Sequence, residues 1–108
     1  MPTISYMHQN EADAVTKEVY EDIKKTYGFE EPRGIYMLMG HTPQHLAASW
    51  SRSRFLYGED SEFTRTEKHA LTLAISATNN CEYCVRSHTT ILRQKGLVNE
   101  DLARIRLI

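Results

Sequence analysis

The chain has 108 residues, 41% of them apolar and 25% charged, with a formal net charge of −1, the profile of one ordinary soluble domain, residues 1–108, with a modest core. That balance leaves no basic footprint for nucleic acid, and the uncharged run at 70–80 is too short to cross a bilayer. The opening Met1-Pro2-Thr3-Ile4-Ser5-Tyr6 lacks the basic-then-apolar order of a signal peptide, so a cytoplasmic protein without membrane partners is expected.

Five glycines, 3 prolines and no strand-like alternation read as helices joined by short connectors, an all-α fold. A first helix is expected from Asn10 as N-cap, with Glu11 and Asp13 in its positive first turn. Val15, Val19 and Ile23 form its buried stripe, flanked by Tyr20 and Tyr27. Glu21 and Lys25 make an i,i+4 pair, and Gly28 ends the helix. Residues 29–33 are a loop, and residues 34–39 a short apolar turn or helix stopped by Gly40. Thr42-Pro43 restarts the chain, Thr42 as N-cap and Pro43 at the first helical position. Leu46, Trp50, Ser53 and Tyr57 line one face of that helix, and Gly58 closes it. Met37, Met39, Trp50 and Phe55 read as core or subunit interface.

After a loop at 59–63, Thr64-Arg65-Thr66-Glu67 has the form of a capping box. The helix it opens is apolar on nearly all sides between Ala70 and Ala77, so burial on more than one face and a central position are expected. Asn79-Asn80 breaks it. With Asn80 as the next N-cap, Cys81 falls at the first helical position and Cys84 at the fourth. That helix runs to Gly96, with Leu97 placed for a Schellman contact, and residues 64–96 form a helix pair around the cysteines. Asn99-Glu100-Asp101 starts a last helix. The uncapped apolar Leu107 and Ile108 imply cover by another subunit or a longer chain.

Both cysteines lie in Asn79-Asn80-Cys81-Glu82-Tyr83-Cys84-Val85-Arg86-Ser87-His88. Offsets of three, four and seven bring Cys81, Cys84 and His88 to one helical face. In a reducing compartment such a pair is more often catalytic or metal-bound than a structural cross-link. A helix N-terminus and an adjacent histidine can lower a thiol pKa from about 8.5 to roughly 3.5–7.5. Sulfurs three residues apart on a helix are within disulfide reach, so the pair can cycle between dithiol and disulfide. Cys84 is assigned as the attacking sulfur because His88 is its closer neighbour, and Cys81 as the resolving one; the reverse order stays open. Two rival readings remain. One is zinc held by Cys81, Cys84 and His88 with His69 or water, against which stands the absence of a second cysteine pair. The other is apolar filler. Tyr83 borders the substrate entrance or packs, and His8, His41 and His45 read as surface.

Thr64-Arg65-Thr66-Glu67, the apolar run, Ser76-Ala77-Thr78-Asn79-Asn80, then Cys81-Glu82-Tyr83-Cys84 with His88 and Gly96-Leu97, resembles the alkyl hydroperoxidase D-like branch of the carboxymuconolactone decarboxylase family. The resemblance runs closely from Phe63 to Leu102 and more loosely over Tyr27-Gly28-Phe29 and Thr42-Pro43. It implies an all-helical fold, homo-oligomers (often trimers or hexamers) and thiol-dependent peroxide reduction at Cys81, Cys84 and His88; no cofactor is expected. Such members usually carry a relay glutamate twelve residues before the first cysteine, often with another acid two residues earlier. Those positions are His69 and Glu67 here. They lie about 200° apart around a helix, so both cannot face the thiols. An imidazole can relay a proton near neutral pH but supplies no permanent negative charge.

The function expected is therefore an antioxidant thiol peroxidase, with hydrogen peroxide or an organic hydroperoxide as substrate and an unidentified dithiol as electron donor. A decarboxylase-like acid–base enzyme using His88 and His69, a zinc-stabilised helical interaction module and a non-catalytic oligomeric scaffold are the alternatives.

Overall fold

The computed structural model describes residues 3–107, and these contain helices and no strand. Two units divide the chain, Met1–Gly58 and Glu59–Ile108. No helix among the described residues is long and apolar enough to cross a membrane.

In the first unit a 3-10 turn at Gln9–Glu11 precedes α1 (Ala14–Tyr27), α2 (Gly34–Met39) and α3 (Pro43–Tyr57). Helix α1 begins later than Asn10, because Asp13 is the residue whose side chain accepts an orphan amide, Thr16 N–H, at 2.8 Å. Its inner face is Thr16, Tyr20 and Ile23, while Val15 is half exposed. The stripe expected through Val15 and Val19 is thus rotated by one residue. Tyr20 is the reason: its ring is fully buried, and its hydroxyl donates to Met7 O at 2.7 Å, so a large apolar surface goes inside without leaving a polar atom unpaired. Leu46 and Trp50 of α3 and Tyr36 and Met37 of α2 complete this core. Trp50 meets Tyr36 edge to face at 5.6 Å and donates its indole N–H to Asp22 at 2.7 Å. Thr42 and Pro43 start α3 as expected, and Gly28 ends α1 with φ +72°.

The second unit is α4 (Arg65–Thr78), α5 (Glu82–Gln94) and α6 (Asn99–Arg106) around Leu73, Leu92 and Leu102, with Ala70, Val85, Leu97 and Ile105 packed on them. The expected capping box opens α4: Glu67 N–H donates to Thr64 Oγ1 at 3.1 Å, and Thr64 N–H to Glu67 Oε1 at 2.9 Å. Helix α4 buries one stripe, His69, Leu73 and Ser76, while Leu71 and Ile75 are more than half exposed. Burial on several faces is therefore not found among the described residues. Small Ala70 and Ala74 made the run look apolar all round, although α5 and α6 cover only part of it. Helix α5 ends in the expected Schellman motif: Gly96 takes φ +96°, Leu97 N–H donates to Leu92 O at 3.1 Å, and the two leucines pack together.

Candidate active site

The α4–α5 junction is built from two overlapping backbone devices. Asn80 sits in the left-handed region at φ +57°, a conformation that asparagine tolerates better than most side chains. Its N–H donates to Ala77 O at 3.2 Å, and Cys81 N–H donates to Ser76 O at 3.0 Å. Those two bonds are a Schellman ending for α4. Cys81, the last residue of that motif, is also the N-cap of α5, in the place expected for Asn80. Its sulfur accepts Cys84 N–H at 3.3 Å, as a capping oxygen would. Asparagine cannot hold both roles: the αL conformation that closes α4 is incompatible with the extended backbone an N-cap needs.

Cys81 and Cys84 are half-buried and joined as a disulfide, with Cα atoms 5.3 Å apart. His88 lies one turn beyond Cys84 on the same face of α5. His69 lies on the buried stripe of α4, fully shielded from solvent. Its Nδ1 is 2.9 Å from Nδ1 of His88, with ring centroids 5.2 Å apart. One nitrogen must donate and the other accept, so at least one ring is neutral and one proton serves both. The peroxidase reading of the sequence gives the imidazoles separate roles, and only its rivals use them together; the fold joins them across nineteen residues, a contact that spacing alone does not signal.

Glu67 stands elsewhere. It is exposed, its carboxylate is engaged by the capping box, and it borders a shallow apolar groove with Phe63, Ala70, Leu71, Ala74 and Ile105. Tyr83 is partly exposed, and His8, His41 and His45 are exposed. Among the described residues no group of three or more His, Cys, Asp and Glu side chains is arranged to hold a metal ion.

Residues 44–108 match the carboxymuconolactone decarboxylase family, a segment covering more than half of the chain. The chain belongs to the carboxymuconolactone decarboxylase family. Its fold is similar to the crystal structure of the alkylhydroperoxidase AhpD core from Rhodospirillum rubrum, with a TM-score of 0.90 and 25% sequence identity, covering 99% of this chain and 80% of that one. No curated protein matches it. Within the carboxymuconolactone decarboxylase family, then, this chain has the all-helical AhpD-like fold and carries its cysteine pair at the start of α5.

Proposed function

We propose that this protein is a thiol-dependent peroxidase in which Cys81 and Cys84 cycle between dithiol and disulfide. The observation that carries the reading is the joined cysteine pair at the head of α5, one helical turn from a histidine whose Nδ1 is bonded to a second, buried histidine. Family membership and likeness to the AhpD core support it.

In the reduced state His88 takes the Cys84 thiol proton, and the thiolate attacks the nearer peroxide oxygen. The O–O bond breaks, Cys84 becomes a sulfenic acid, and the departing alkoxide takes the proton back from the imidazole to leave as alcohol or, from hydrogen peroxide, as water. Cys81 then attacks the sulfenic sulfur, the S–S bond forms, and the hydroxyl leaves as water with the second thiol proton. Two thiols and one hydroperoxide thus become one disulfide, one alcohol and one water. A dithiol donor restores the pair by attacking Cys84 and expelling Cys81. The amide of Cys84 stabilises that departing thiolate through the hydrogen bond it already makes to the Cys81 sulfur. His69 acts as the relay by holding or releasing the proton shared with His88, while Glu67 keeps its capping role.

Self-association belongs to the same reading. Leu71 and Ile75 of α4 and Phe63 before it form an exposed apolar surface of the kind that subunit interfaces cover. A homo-oligomer, trimer or hexamer, is proposed and is read directly by light scattering. The protein is placed in a reducing cytoplasm, where a small dithiol or thiol protein keeps the pair reduced.

The test is a thiol titration before and after peroxide addition. Peroxide is expected to convert two reactive thiols per chain into an intramolecular disulfide, and Cys84→Ser to abolish turnover. If Cys84→Ser consumes peroxide at the normal rate, the assignment of the attacking sulfur fails. The histidine pair, half-buried at His88 and buried at His69, also suits an acid–base enzyme of the decarboxylase type. That second reading predicts that alkylating both thiols spares activity.

A further inference from the structure

On the flank of α5 turned away from Cys84 and His88, a concavity of about 570 Å³ is lined by Asn80, Glu82, Arg86, Thr89, Arg93 and, from α6, Arg106, over an apolar floor of Ala77 and Val85. We propose that it is a binding site for a small organic anion carrying a carboxylate or phosphate group.

Charge is the first reason. Three guanidinium groups border the concavity against one carboxylate, in a chain whose overall formal charge is −1. The positive charge is therefore concentrated here rather than inherited from a basic composition. Arg86 and Arg93 are seven residues apart, two turns on one face of α5, and Arg106 joins them from the neighbouring helix. Guanidinium forks match the paired oxygens of carboxylate and phosphate, which lysines would meet only as point charges.

The second reason is how these groups are engaged. Arg86 pairs with Glu82 in an exposed i,i+4 contact, a kind of pair weak enough for a ligand oxygen to replace. Among the described residues Arg93 donates to the neutral amide oxygen of Asn99, at 2.9 Å, and forms no ion pair. Among the described residues Arg106 has no ion pair. An anionic oxygen would accept from these guanidinium forks together. The volume lies within the usual range for small-molecule sites, and the mixture of apolar floor and polar rim suits a compact organic acid or phosphate ester.

The site makes no use of the sulfurs, so it is independent of the thiol chemistry and is tested without an activity assay. Inorganic phosphate and succinate are titrated separately into the full chain in about 10 mM Tris chloride, where charges are weakly screened, while amide resonances of α5 and α6 are followed. Saturable shifts below about 10 mM ligand are expected. The Arg93→Gln/Arg106→Gln double variant should weaken binding by about fivefold or more, from the loss of two charged donors. If that variant loses its helical spectrum, Arg93→Lys/Arg106→Lys is judged by the same threshold. Phosphate binding without succinate binding assigns the site to phosphate esters, the reverse to carboxylates, and either supports an anion site. No saturable binding of either, or a smaller loss in the variant, overturns it.

Discussion

Replacing His69 by leucine isolates the histidine pair. The ring is fully buried and its Nδ1 is 2.9 Å from that of His88. Leucine fills much of the same space but offers no polar atom, so His88 keeps a nitrogen without the partner it had. Leaving a fully buried polar group unsatisfied costs about 1–3 kcal/mol, and the half-buried His88 should lose about 1 kcal/mol, at the low end of that range. In a domain of this size that lowers Tm by roughly 4–8 °C per kcal/mol. Replacing both histidines removes the orphan as well as the bond, so the His69→Leu/His88→Leu protein should be less destabilised than the two single effects added together. His69→Asn places an amide near the position of Nδ1 and should recover part of the loss. Thermal unfolding by circular dichroism reads all four proteins. The rate of peroxide-dependent disulfide formation reads the chemistry, where losing a general acid–base partner is expected to cost about 10²–10⁴-fold. Additive stabilities would refute the hydrogen bond as an energetic unit, and an unchanged oxidation rate in His69→Leu would refute the relay.

Gly40→Ala would place a Cβ 2.1 Å from the Tyr20 hydroxyl oxygen and 3.0 Å from Met7 Cβ. The backbone there is ordinary αR, so the intrinsic preference for alanine, about 0.4–1 kcal/mol, is outweighed by overpacking of about 1–3 kcal/mol and by strain on the Tyr20–Met7 bond. Urea unfolding should show a net loss that shrinks in a Tyr20→Phe background. Asn80→Gly should preserve or raise Tm, whereas Asn80→Ala should lower stability by about 1 kcal/mol, since alanine has no local compensation for φ +57°; equal effects would show that the αL position is unimportant. The Lys95 ammonium, on an exposed residue, is held below the usual lysine range, first by partial desolvation and then by Arg65, against the attraction of Asp60. Between its folded pKa and the ordinary lysine range the unfolded chain binds more protons, so stability rises with pH across that window. Lys95→Gln should therefore stabilise below the window, by no more than about 0.5 kcal/mol, and lose that advantage above it; a destabilisation at neutral pH would contradict the lowered pKa.

Where the determinants are local, the sequence was enough. Thr64 and Glu67 close their capping box within four residues, and Gly96-Leu97 ends α5 as its composition dictates. Gly28, Gly40 and Gly58 each stand at a helix end. The register of α1 was not legible, because Tyr20 is drawn inward by Met7 O, thirteen residues away. Nor was the limited burial of α4, since periodicity reports which faces are apolar and not which are covered. In the site, the reach of Cys81 to Cys84 follows from helical spacing, but the N-cap identity turned on a competition that spacing does not show. Asn80 and Cys81 both have side chains able to cap, and closing the preceding helix used Asn80 first.

The histidine at position 69 changes the charge of the site as well as its proton path. A glutamate there would pair with His88 as carboxylate and imidazolium, with no net charge and the proton fixed on the histidine. Two imidazoles sharing one hydrogen bond are either neutral together or carry one positive charge. For the same proton on His88 the site is thus one unit more positive than with an acid. A positive neighbour favours thiolate over thiol at Cys84, and the amide bond to the Cys81 sulfur acts in the same direction on the other cysteine. What the substitution removes is the permanent anion that would hold a proton on His88 between turnovers. On the proposed reading a singly protonated His69–His88 pair therefore surrounds Cys84 with more positive charge than a carboxylate–imidazolium pair would, whereas a neutral pair does not, and the buried position of His69 leaves that difference little screened by solvent.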